Sequence, residues 1–251
     1  MYAMLYGFVF VFGCCIGSFL NVVIWRVPKK ISFVKGRSFC PHCEKPITWY
    51  DNIPIISFLV LRGRGRCCGG KISPRYPIVE TLTGALFLVV FVVLGFTPVA
   101  AAFCAVAAIL VCVAFVDMDT MEIPNGFIIA LAVPAALLVF LQPEVSILSR
   151  VIGFFAVSLP MFLLALVMGA FGGGDIKLYA LCGFILGWKI LIPAFFFALI
   201  TGSVVGLIQK RMNKLEDGHT IPFGPHICVG VYMAALVGTP LINWYLSLFQ
   251  L

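Results

Sequence analysis

Long apolar runs separated by short polar connections constrain the fold of this chain more than any other feature. A transmembrane helix needs about 20 apolar residues, and the sequence offers roughly eight such segments. Their approximate bounds are 3–25, 78–95, 98–116, 125–141, 149–170, 176–188, 190–209 and 227–248. Charged residues make up only 11% of the chain, against about one quarter in a soluble domain. The sequence therefore predicts an all-α polytopic membrane protein. Because the sixth segment is short and contains Gly183 and Gly187, it can form one bent unit with the seventh.

The polar stretch at 26–77 divides the chain into a first transmembrane helix at 1–25, a cysteine-rich loop domain, and a membrane domain at 78–251. Of the 17 Lys and Arg residues, 11 lie between Arg26 and Arg75. Because basic residues concentrate in cytoplasmic loops, we expect this loop in the cytoplasm and the N-terminus outside. The first segment has no basic leader before it, so we expect it to be a retained helix rather than a cleaved signal peptide. The basic charge predicts contact with anionic lipid and not with nucleic acid.

Two aspartates, Asp117 and Asp175, lie at the edges of long apolar runs. An ionisable residue inside a membrane helix costs about 2.5–3.5 kcal/mol on insertion scales, so a functional role is the first hypothesis. Two carboxylates held together can share one proton, which is how an aspartic hydrolase activates water. Counting the segments places both residues near the cytoplasmic face. The sequence therefore predicts an intramembrane aspartyl protease.

Residues beside the two aspartates suggest how a substrate reaches them. Gly172 and Gly174 would allow close backbone approach without an intervening Cβ atom. Pro124 is expected to break the helix after Asp117 and to leave backbone groups free near the scissile bond. Asp119 lies about 200° around a helix from Asp117, so both cannot face Asp175 if the helix continues. Glu122 is expected in the solvated loop.

Four of the ten cysteines fall in the polar loop, as Cys40-Pro-His-Cys43 and the adjacent pair Cys67-Cys68. Two short knuckles of this kind supply the thiolates of a zinc ribbon, so the loop is predicted to hold a structural zinc ion. Unliganded thiols are the alternative, and a reducing cytoplasm disfavours disulfides. His42, inside the first knuckle, is an alternative fourth ligand, although we expect its side chain to be solvated.

Seven sequence blocks follow one another along nearly the whole chain. They are GSFLNVVIWRVP from Gly17, Cys40-x-x-Cys43, Asn52-Ile53-Pro54, Ile72-Ser73-x-Arg75-Tyr76-Pro77-x-x-Glu80, Asp117-x5-Ile123-Pro124-Asn125, Gly172-Gly173-Gly174-Asp175 and Pro222-Phe223-Gly224-Pro225. In this order the blocks resemble bacterial type IV prepilin peptidase, a family of intramembrane aspartyl proteases of the bacterial inner membrane.

The resemblance implies an enzyme with two activities. Such a peptidase removes the leader from type IV prepilins or type II secretion pseudopilins after a glycine. It then N-methylates the new terminal residue with S-adenosylmethionine as methyl donor. The resemblance places the catalytic aspartates at Asp117 and Asp175, and its spacing favours Asp117 over Asp119. One position departs from the family pattern: Gly65 stands where the family usually has a cysteine, so Cys67 becomes the substitute ligand beside Cys68.

The methyl-donor region implied by the resemblance comprises Gly17, Ser18, Asn21, Arg26 and Glu80, together with the polar loop. Structural roles for these residues remain open alternatives. The Gly17-Ser18 pair is also typical of close helix packing, and Asn21 of a hydrogen bond between helices. Glu80 lies three residues after Pro77, where a carboxylate stabilises a helix N-terminus.

Two other classes of protein fit part of the pattern. Paired membrane carboxylates also carry protons or cations in secondary transporters. Against a transporter, both aspartates are predicted at one face of the membrane, and the sequence shows no internal repeat. A non-catalytic assembly factor that docks through the cysteine loop is the third hypothesis.

Overall fold

The structure is a computed structural model that describes residues 2–34, 38–40, 42–169, 171–212 and 221–248. The chain divides into two compact units, Met1–Cys112 and Val113–Leu251. The helices of the first unit are α1 (Tyr2–Arg26), α2 (Ile56–Val60), α3 (Arg75–Leu94) and most of α4 (Pro98–Thr120). The second unit holds the end of α4 and the helices α5 (Asn125–Leu141), α6 (Ile147–Ala156), α7 (Ser158–Met168), α8 (Gly173–Leu186), α9 (Trp188–Arg211) and α10 (Gly224–Ser247).

The predicted all-helical membrane fold is confirmed. Within the described ranges, six helical segments are long and apolar enough to cross a membrane. All eight predicted segments contain helix, but α5 has 17 residues and α8 only 14. At 1.5 Å per residue, α8 is about 21 Å long, shorter than the roughly 30 Å hydrocarbon core of a bilayer. The prediction of about eight spans is therefore approximate.

The sixth and seventh predicted segments form two helices, α8 and α9, that meet at Gly187. The φ angle of Gly187 is 75°, a left-handed conformation that favours glycine over residues with a Cβ atom. A Cβ atom at this position would also lie 2.8 Å from the hydroxyl of Ser149. The chain therefore turns at Gly187 rather than bending gradually within one helix.

In the first unit, α1 and α3 pack against each other through glycines. A Cβ atom on Gly13 would lie 2.8 Å from the Cα atom of Gly84, and one on Gly17 would lie 2.7 Å from the Cα atom of Glu80. Gly13 and Gly17 are four residues apart, the spacing that places small residues on one face of a membrane helix. The close-packing interpretation of Gly17 is therefore what the structure supports.

In the second unit, the buried side chain of Arg150 joins the ends of two helices. Its guanidinium donates hydrogen bonds to the carbonyls of Leu138 and Gln142 at the end of α5, and of Phe184 and Ile185 at the end of α8. The last carbonyls of a helix have no partner within the helix, so a cation there satisfies several acceptors at once. This contact joins α5 and α8 at the ends remote from Asn125 and Asp175.

Candidate active site

Asp117 lies in the last turn of α4 and is only 5% exposed. Its Oδ2 atom accepts a hydrogen bond of 2.9 Å from the backbone N–H of Gly224, the first residue of α10. The partial positive charge at a helix N-terminus favours a carboxylate in this position. A Cβ atom on Gly224 would lie 2.6 Å from Oδ2, so only glycine leaves room for the carboxylate at this distance.

Asp175 is the third residue of α8, and its side chain is half-buried. The carboxylate accepts a hydrogen bond from the backbone N–H of Gly172, the residue that caps the helix. This is the reciprocal contact by which an acidic third residue satisfies a free N–H group at the start of a helix. The charges of Asp117 and Asp175 act on each other, so the structure brings together the two aspartates that the sequence singled out.

The glycine-rich segment before Asp175 allows close approach at one position. A Cβ atom on Gly174 would lie 2.9 Å from the Cβ atom of Ile123, whereas one on Gly173 would meet nothing within 4 Å. A Cβ atom on Gly172 would lie 3.4 Å from the Asp175 carboxylate, an ordinary contact. The predicted role of close approach therefore applies to Gly174 and not to Gly172.

Pro124 does not break the helix that carries Asp117. Helix α4 ends at Thr120, and Met121 follows with a φ angle of 53° and an N–H group bonded to the Asp117 carbonyl. Pro124 lies at the N-cap of α5, where its fixed φ angle and missing N–H group suit the start of a helix. The irregular segment at 121–124 is present as expected, but the left-handed Met121 begins it.

Asp119 and Glu122 are both exposed, which agrees with the preference for Asp117. Lys177, which no sequence pattern singled out, donates a hydrogen bond of 2.9 Å to the side chain of Asn125 and so links α8 to the start of α5. Gly224 was recognised only as part of a sequence block. Its role as donor to Asp117 depends on a contact between residues 107 positions apart, which no local pattern reveals.

Aromatic side chains pack near Asp175 in the second unit. Tyr179, one helical turn after Asp175, stacks edge-on against Phe195 and lies 6.5 Å from the ring of Phe223. The Tyr179 side chain is fully buried, and its hydroxyl has no hydrogen-bond partner among the residues that the structure describes. His226 lies 6.5 Å from Phe223 and is buried among apolar groups. The rings of Tyr179, Phe195, Phe223 and His226 therefore form one cluster in the second unit.

In the first unit, the first cysteine knuckle is a tight turn. The Cys40 N–H donates to the carbonyl of Lys45 at 2.9 Å, and the Glu44 N–H donates back to the Cys40 carbonyl at 2.8 Å. A bridge between Phe39 and Pro46 closes the turn, and Glu44 has a φ angle of 57°.

The second knuckle repeats the same hydrogen bonds 25 residues later. The Gly65 N–H donates to the carbonyl of Gly70, and the Gly69 N–H donates back to the Gly65 carbonyl, both at 2.8 Å. A bridge between Arg64 and Lys71 closes it, and Gly69 has a φ angle of 69°. Gly65 therefore occupies the place in the second turn that Cys40 occupies in the first.

The four thiols of the two knuckles converge. Their Sγ atoms lie within 4.8 Å of one another, with Cys40 and Cys68 at 3.7 Å, Cys43 and Cys67 at 3.3 Å, and Cys67 and Cys68 at 3.9 Å. With zinc–sulfur bonds of about 2.3 Å, a tetrahedral site has sulfur–sulfur distances of about 3.8 Å. The cluster thus fits a tetrahedral divalent ion, with Cys67 as the fourth thiol in place of a cysteine at Gly65.

The backbone and the neighbouring side chains distinguish these thiols. The His42 backbone N–H lowers the pKa of the Cys40 thiol to about 6, against a smaller opposing effect of burial. Hydrogen bonds with Cys43 and then Cys40 raise the pKa of Cys67 to about 12. The His42 ring is exposed and lies 3.3 Å from the Lys71 carbonyl, so it does not join the thiol cluster.

A cavity of about 780 Å³ lies between the first-unit helices and the cysteine loop. Of the five residues in the predicted methyl-donor region, Ser18, Asn21, Arg26 and Glu80 line this cavity, whereas Gly17 does not. Aromatic side chains, including Trp25 and Phe39, line it as well. A cleft of this size, mostly apolar with a few polar groups, is typical of a small-molecule site.

Three of these lining residues have defined partners. The Asn21 side-chain amide donates to the Tyr76 carbonyl at 3.2 Å, which is the interhelical hydrogen bond left open by the sequence. The Arg26 guanidinium donates to the Ser32 carbonyl at 2.9 Å. The Glu80 carboxylate accepts from the Ile55 N–H at 2.7 Å, so it does not stabilise the N-terminus of its own helix as the sequence suggested.

Comparison with known proteins agrees with this arrangement. A sequence model described as the bacterial peptidase A24 N-terminal domain matches residues 11–94, and one described as the type IV leader peptidase family matches residues 104–207. Curated proteins named prepilin leader peptidase/N-methyltransferase are 34% identical in Bacillus subtilis, covering 95% of this chain and 97% of the relative, and 34% identical in Legionella pneumophila, covering 97% and 95%. The chain belongs to the type IV leader peptidase family.

A third relative with the same name, from Myxococcus xanthus, is 40% identical over 80% of this chain and 62% of its own length. No solved structure matches significantly. The family match separates the two sites: the leader peptidase region contains Asp117 and Asp175, and the N-terminal region contains the thiol cluster and Glu80. Gly224 lies beyond both matched regions. The comparisons give no support to the transporter or non-catalytic hypotheses.

Proposed function

We propose that this chain is a prepilin peptidase that cleaves the leader from type IV prepilins or type II secretion pseudopilins, with Asp117 and Asp175 as catalytic residues. The observation that carries the proposal is the juxtaposition of these two carboxylates at the ends of apolar helices, one anchored by the Gly224 N–H at 2.9 Å. Two carboxylates whose charges act on each other tend to share one proton, because both cannot remain charged without repulsion.

Peptide hydrolysis follows from this shared proton. The ionised carboxylate takes a proton from the attacking water, and the protonated one donates to the carbonyl oxygen and then to the leaving amine. The backbone hydrogen bonds to both carboxylates hold them in place during this exchange. The substrates of the curated relatives are prepilins according to their names, which supports a prepilin as the substrate of this chain.

Asparagine substitutions test the catalytic pair. Asp117→Asn and Asp175→Asn should each reduce leader cleavage by about 10⁴-fold or more, measured on purified protein with a synthetic prepilin. In either variant only one carboxylate remains, so the two residues can no longer share a proton. Asp119→Asn is the matched control, and its cleavage rate should stay within about threefold, since the Asp119 side chain is exposed and is not one of the two carboxylates proposed to share a proton. Cleavage by either pair variant at a rate near that of the wild type, or a larger loss in Asp119→Asn, contradicts the assignment.

The same chain, we propose, methylates the new N-terminus in the first unit, with the 780 Å³ cavity as the site of the methyl donor and its acceptor. S-adenosylmethionine supplies an electrophilic methyl group when bound. Trp25 and Phe39 contribute aromatic surface to the cavity wall, and Ser18, Asn21 and Arg26 contribute polar groups to it. Equilibrium binding of radiolabelled S-adenosylmethionine should be lost in a variant that fills the cavity, such as Ser18→Trp, while leader cleavage persists.

We also propose that Cys40, Cys43, Cys67 and Cys68 hold one structural zinc ion. The four convergent thiols support this assignment. Purified protein should contain about one equivalent of zinc, and Cys43→Ser or Cys67→Ser should lower this content, because all four ligands are needed for a tetrahedral site. Gly65→Cys should restore zinc to the Cys67→Ser variant, since a Cβ atom at Gly65 would lie 3.9 Å from the Cys67 sulfur. Full zinc content in Cys67→Ser alone contradicts the proposed ligand set.

We propose that the cysteine loop and the catalytic pair face the cytoplasm of a bacterial inner-membrane protein, with the N-terminus outside. The basic residues between Arg26 and Arg75 support this orientation. The exposed Cys67 and Cys68 provide the test. A membrane-impermeant thiol reagent should label them in inverted membrane vesicles after chelation and not in right-side-out vesicles. Labelling only in right-side-out vesicles contradicts the orientation.

A further inference from the structure

Glu80 is a buried carboxylate in the wall of the first-unit cavity. It lies in the second turn of α3 and is 7% exposed. Its Oε2 atom accepts the Ile55 N–H at 2.7 Å, and the Ser18 side chain also bonds to the carboxylate. Both donors are neutral, and no cationic side chain of the described residues pairs with Glu80. A buried carboxylate normally has a cationic or metal partner.

The other acid of the cavity wall, Asp51, has such a partner. The Arg66 guanidinium lies 3.1 Å from the Asp51 carboxylate and donates to both of its oxygens. This hydrogen bonding lowers the pKa of Asp51. The charge of Asp51 is therefore already compensated, whereas that of Glu80 is available to a ligand in the cavity.

The backbone at Ile55 is strained in the conformation that serves Glu80. Ile55 has φ and ψ angles of 63° and −51°, and the Ile56 N–H donates to the Pro54 carbonyl across it. These contacts define a γ-turn with a positive φ angle, which is rare for a β-branched residue. Such strain is concentrated at ligand sites and active sites. Here the strained turn holds the Ile55 N–H against the carboxylate.

A buried anion with neutral donors on one side and a cavity on the other is suited to a small organic cation. An α-ammonium group supplies one positive charge and three N–H donors, which match the free acceptor sites of a carboxylate. If this chain methylates the product of its own cleavage, as proposed above, that product presents an α-ammonium group. Methyl transfer also requires a base, because only the neutral amine has a free lone pair.

We propose that the Glu80 carboxylate binds the N-terminal ammonium group of the cleaved pilin and accepts one of its protons for methyl transfer. The neutral amine nitrogen then uses its lone pair to bond the methyl carbon of the sulfonium donor. The carbon–sulfur bond breaks, and its electron pair stays on sulfur. The product is a secondary ammonium ion, and Glu80 returns its proton to water when this product leaves.

Glu80→Gln tests the proposal, because the amide oxygen can still accept the Ile55 N–H while the negative charge is removed. The acceptor is a synthetic peptide with the mature pilin sequence and a free N-terminal amine, and the same peptide with an acetylated N-terminus is the binding control. Methylation is followed by mass, leader cleavage is measured on the intact prepilin, and affinities for both peptides and for S-adenosylmethionine are measured by equilibrium binding. Glu144→Gln, a change at an exposed glutamate outside the cavity, is the matched control.

The proposal predicts that Glu80→Gln methylates the peptide at least about 10²-fold more slowly, the usual contribution of a general base. It should also lose the preference for the free amine over the acetylated peptide, while its cleavage rate and S-adenosylmethionine affinity stay within about threefold. Glu144→Gln should match the wild type in every assay. Methylation by Glu80→Gln at the wild-type rate overturns the proposal, and so does a loss of donor affinity with an unchanged peptide preference. Absence of methylation by the wild type would instead overturn the proposed methyltransferase function.

Discussion

Asp117 and Glu80 are anchored in the same way but differ in what faces them. Each is a buried carboxylate that accepts one backbone N–H from outside its own helix, at 2.9 Å from Gly224 and at 2.7 Å from Ile55. Asp117 has a second carboxylate, Asp175, within range of its charge, whereas Glu80 faces a cavity without a cationic partner among the described residues. Asp117 and Asp175 are therefore suited to sharing a proton. Glu80, as a single carboxylate, is suited to binding a cation. The neighbours, not the anchoring, distinguish the two chemistries.

The two anchoring donors also differ in how the chain presents them. Gly224 begins a helix, where its N–H group has no partner within the helix and the absence of a Cβ atom leaves room for Asp117. Ile55 reaches Glu80 through a strained γ-turn. A larger residue at Gly224 therefore displaces the Asp117 carboxylate sterically. The Glu80→Gln substitution instead removes the negative charge and leaves an oxygen that can accept the Ile55 N–H.

If the two sites work independently, two inactive variants should complement each other. Asp175→Asn alone should leave the prepilin uncut, and Glu80→Gln alone should leave the cut product unmethylated. A mixture of the two should yield at least about 10²-fold more methylated mature pilin than either alone, since each supplies the general acid–base group that the other lacks. Mass analysis of the product measures this. If the mixture yields no more than the separate variants, although each retains its other activity, the two sites act only within one molecule.

Gly224→Ala should damage only the aspartate site. The added Cβ atom would lie 2.6 Å from the Asp117 Oδ2 atom and force the carboxylate away from its place. A displacement of about 1 Å costs roughly 10²-fold in rate, so cleavage should fall by about that factor while methylation of a mature peptide is unchanged. Gly126→Ala, where a Cβ atom meets nothing within 4 Å, is the control. Equal cleavage rates for the two variants would show that the Gly224 contact does not position Asp117.

Gly174→Ala should have a smaller effect at the same site. Its Cβ atom would lie 2.9 Å from the Cβ atom of Ile123, so α8 must shift slightly to accommodate it. Overpacking of this kind costs about 1–3 kcal/mol, and a similar loss of transition-state stabilisation corresponds to about a tenfold slower cleavage. Gly173→Ala, in the same segment and in open space, should leave the cleavage rate within about twofold. If Gly173→Ala cleaved more slowly than Gly174→Ala, the packing argument would be contradicted.

Gly17→Ala should produce the smallest change, confined to the Glu80 site. The new Cβ atom would lie 2.7 Å from the Cα atom of Glu80 and would push α1 away from α3. We expect methylation to slow by about fivefold, because a packing change at the helix crossing moves the carboxylate only slightly. Gly7→Ala on the same helix meets nothing within 4 Å and is the control. A larger loss of cleavage than of methylation would show that the two sites are not separable.

The sequence was sufficient to single out Asp117 and Asp175, because an ionisable residue in an apolar run is costly and therefore conspicuous. The same argument from cost applies to Arg150, which also lies in an apolar run but was not singled out. Its N–H donors bond to the carbonyls of two helix ends, so its role in the fold is structural. For Glu80 the sequence offered the N-terminus of its own helix as one of two open roles, whereas the donor in the structure is the Ile55 N–H. Sequence patterns predict contacts within one helix. The contacts of Arg150 and of Glu80 join separate segments, so such patterns do not reveal them.

The sequence by itself determined the membrane class and the approximate helices, and it singled out the two aspartates and the four loop cysteines as candidates, since each depends on composition or short spacing. The tertiary structure decided which backbone groups bind the carboxylates, that the four thiols converge within 4.8 Å of one another, and that a cavity forms beside Glu80. The physical reason is the distance along the chain. The Gly224 N–H and Asp117 are 107 residues apart, and Ile55 and Glu80 are 25 apart. Such partners are specified only when packed helices fix where each chain segment passes.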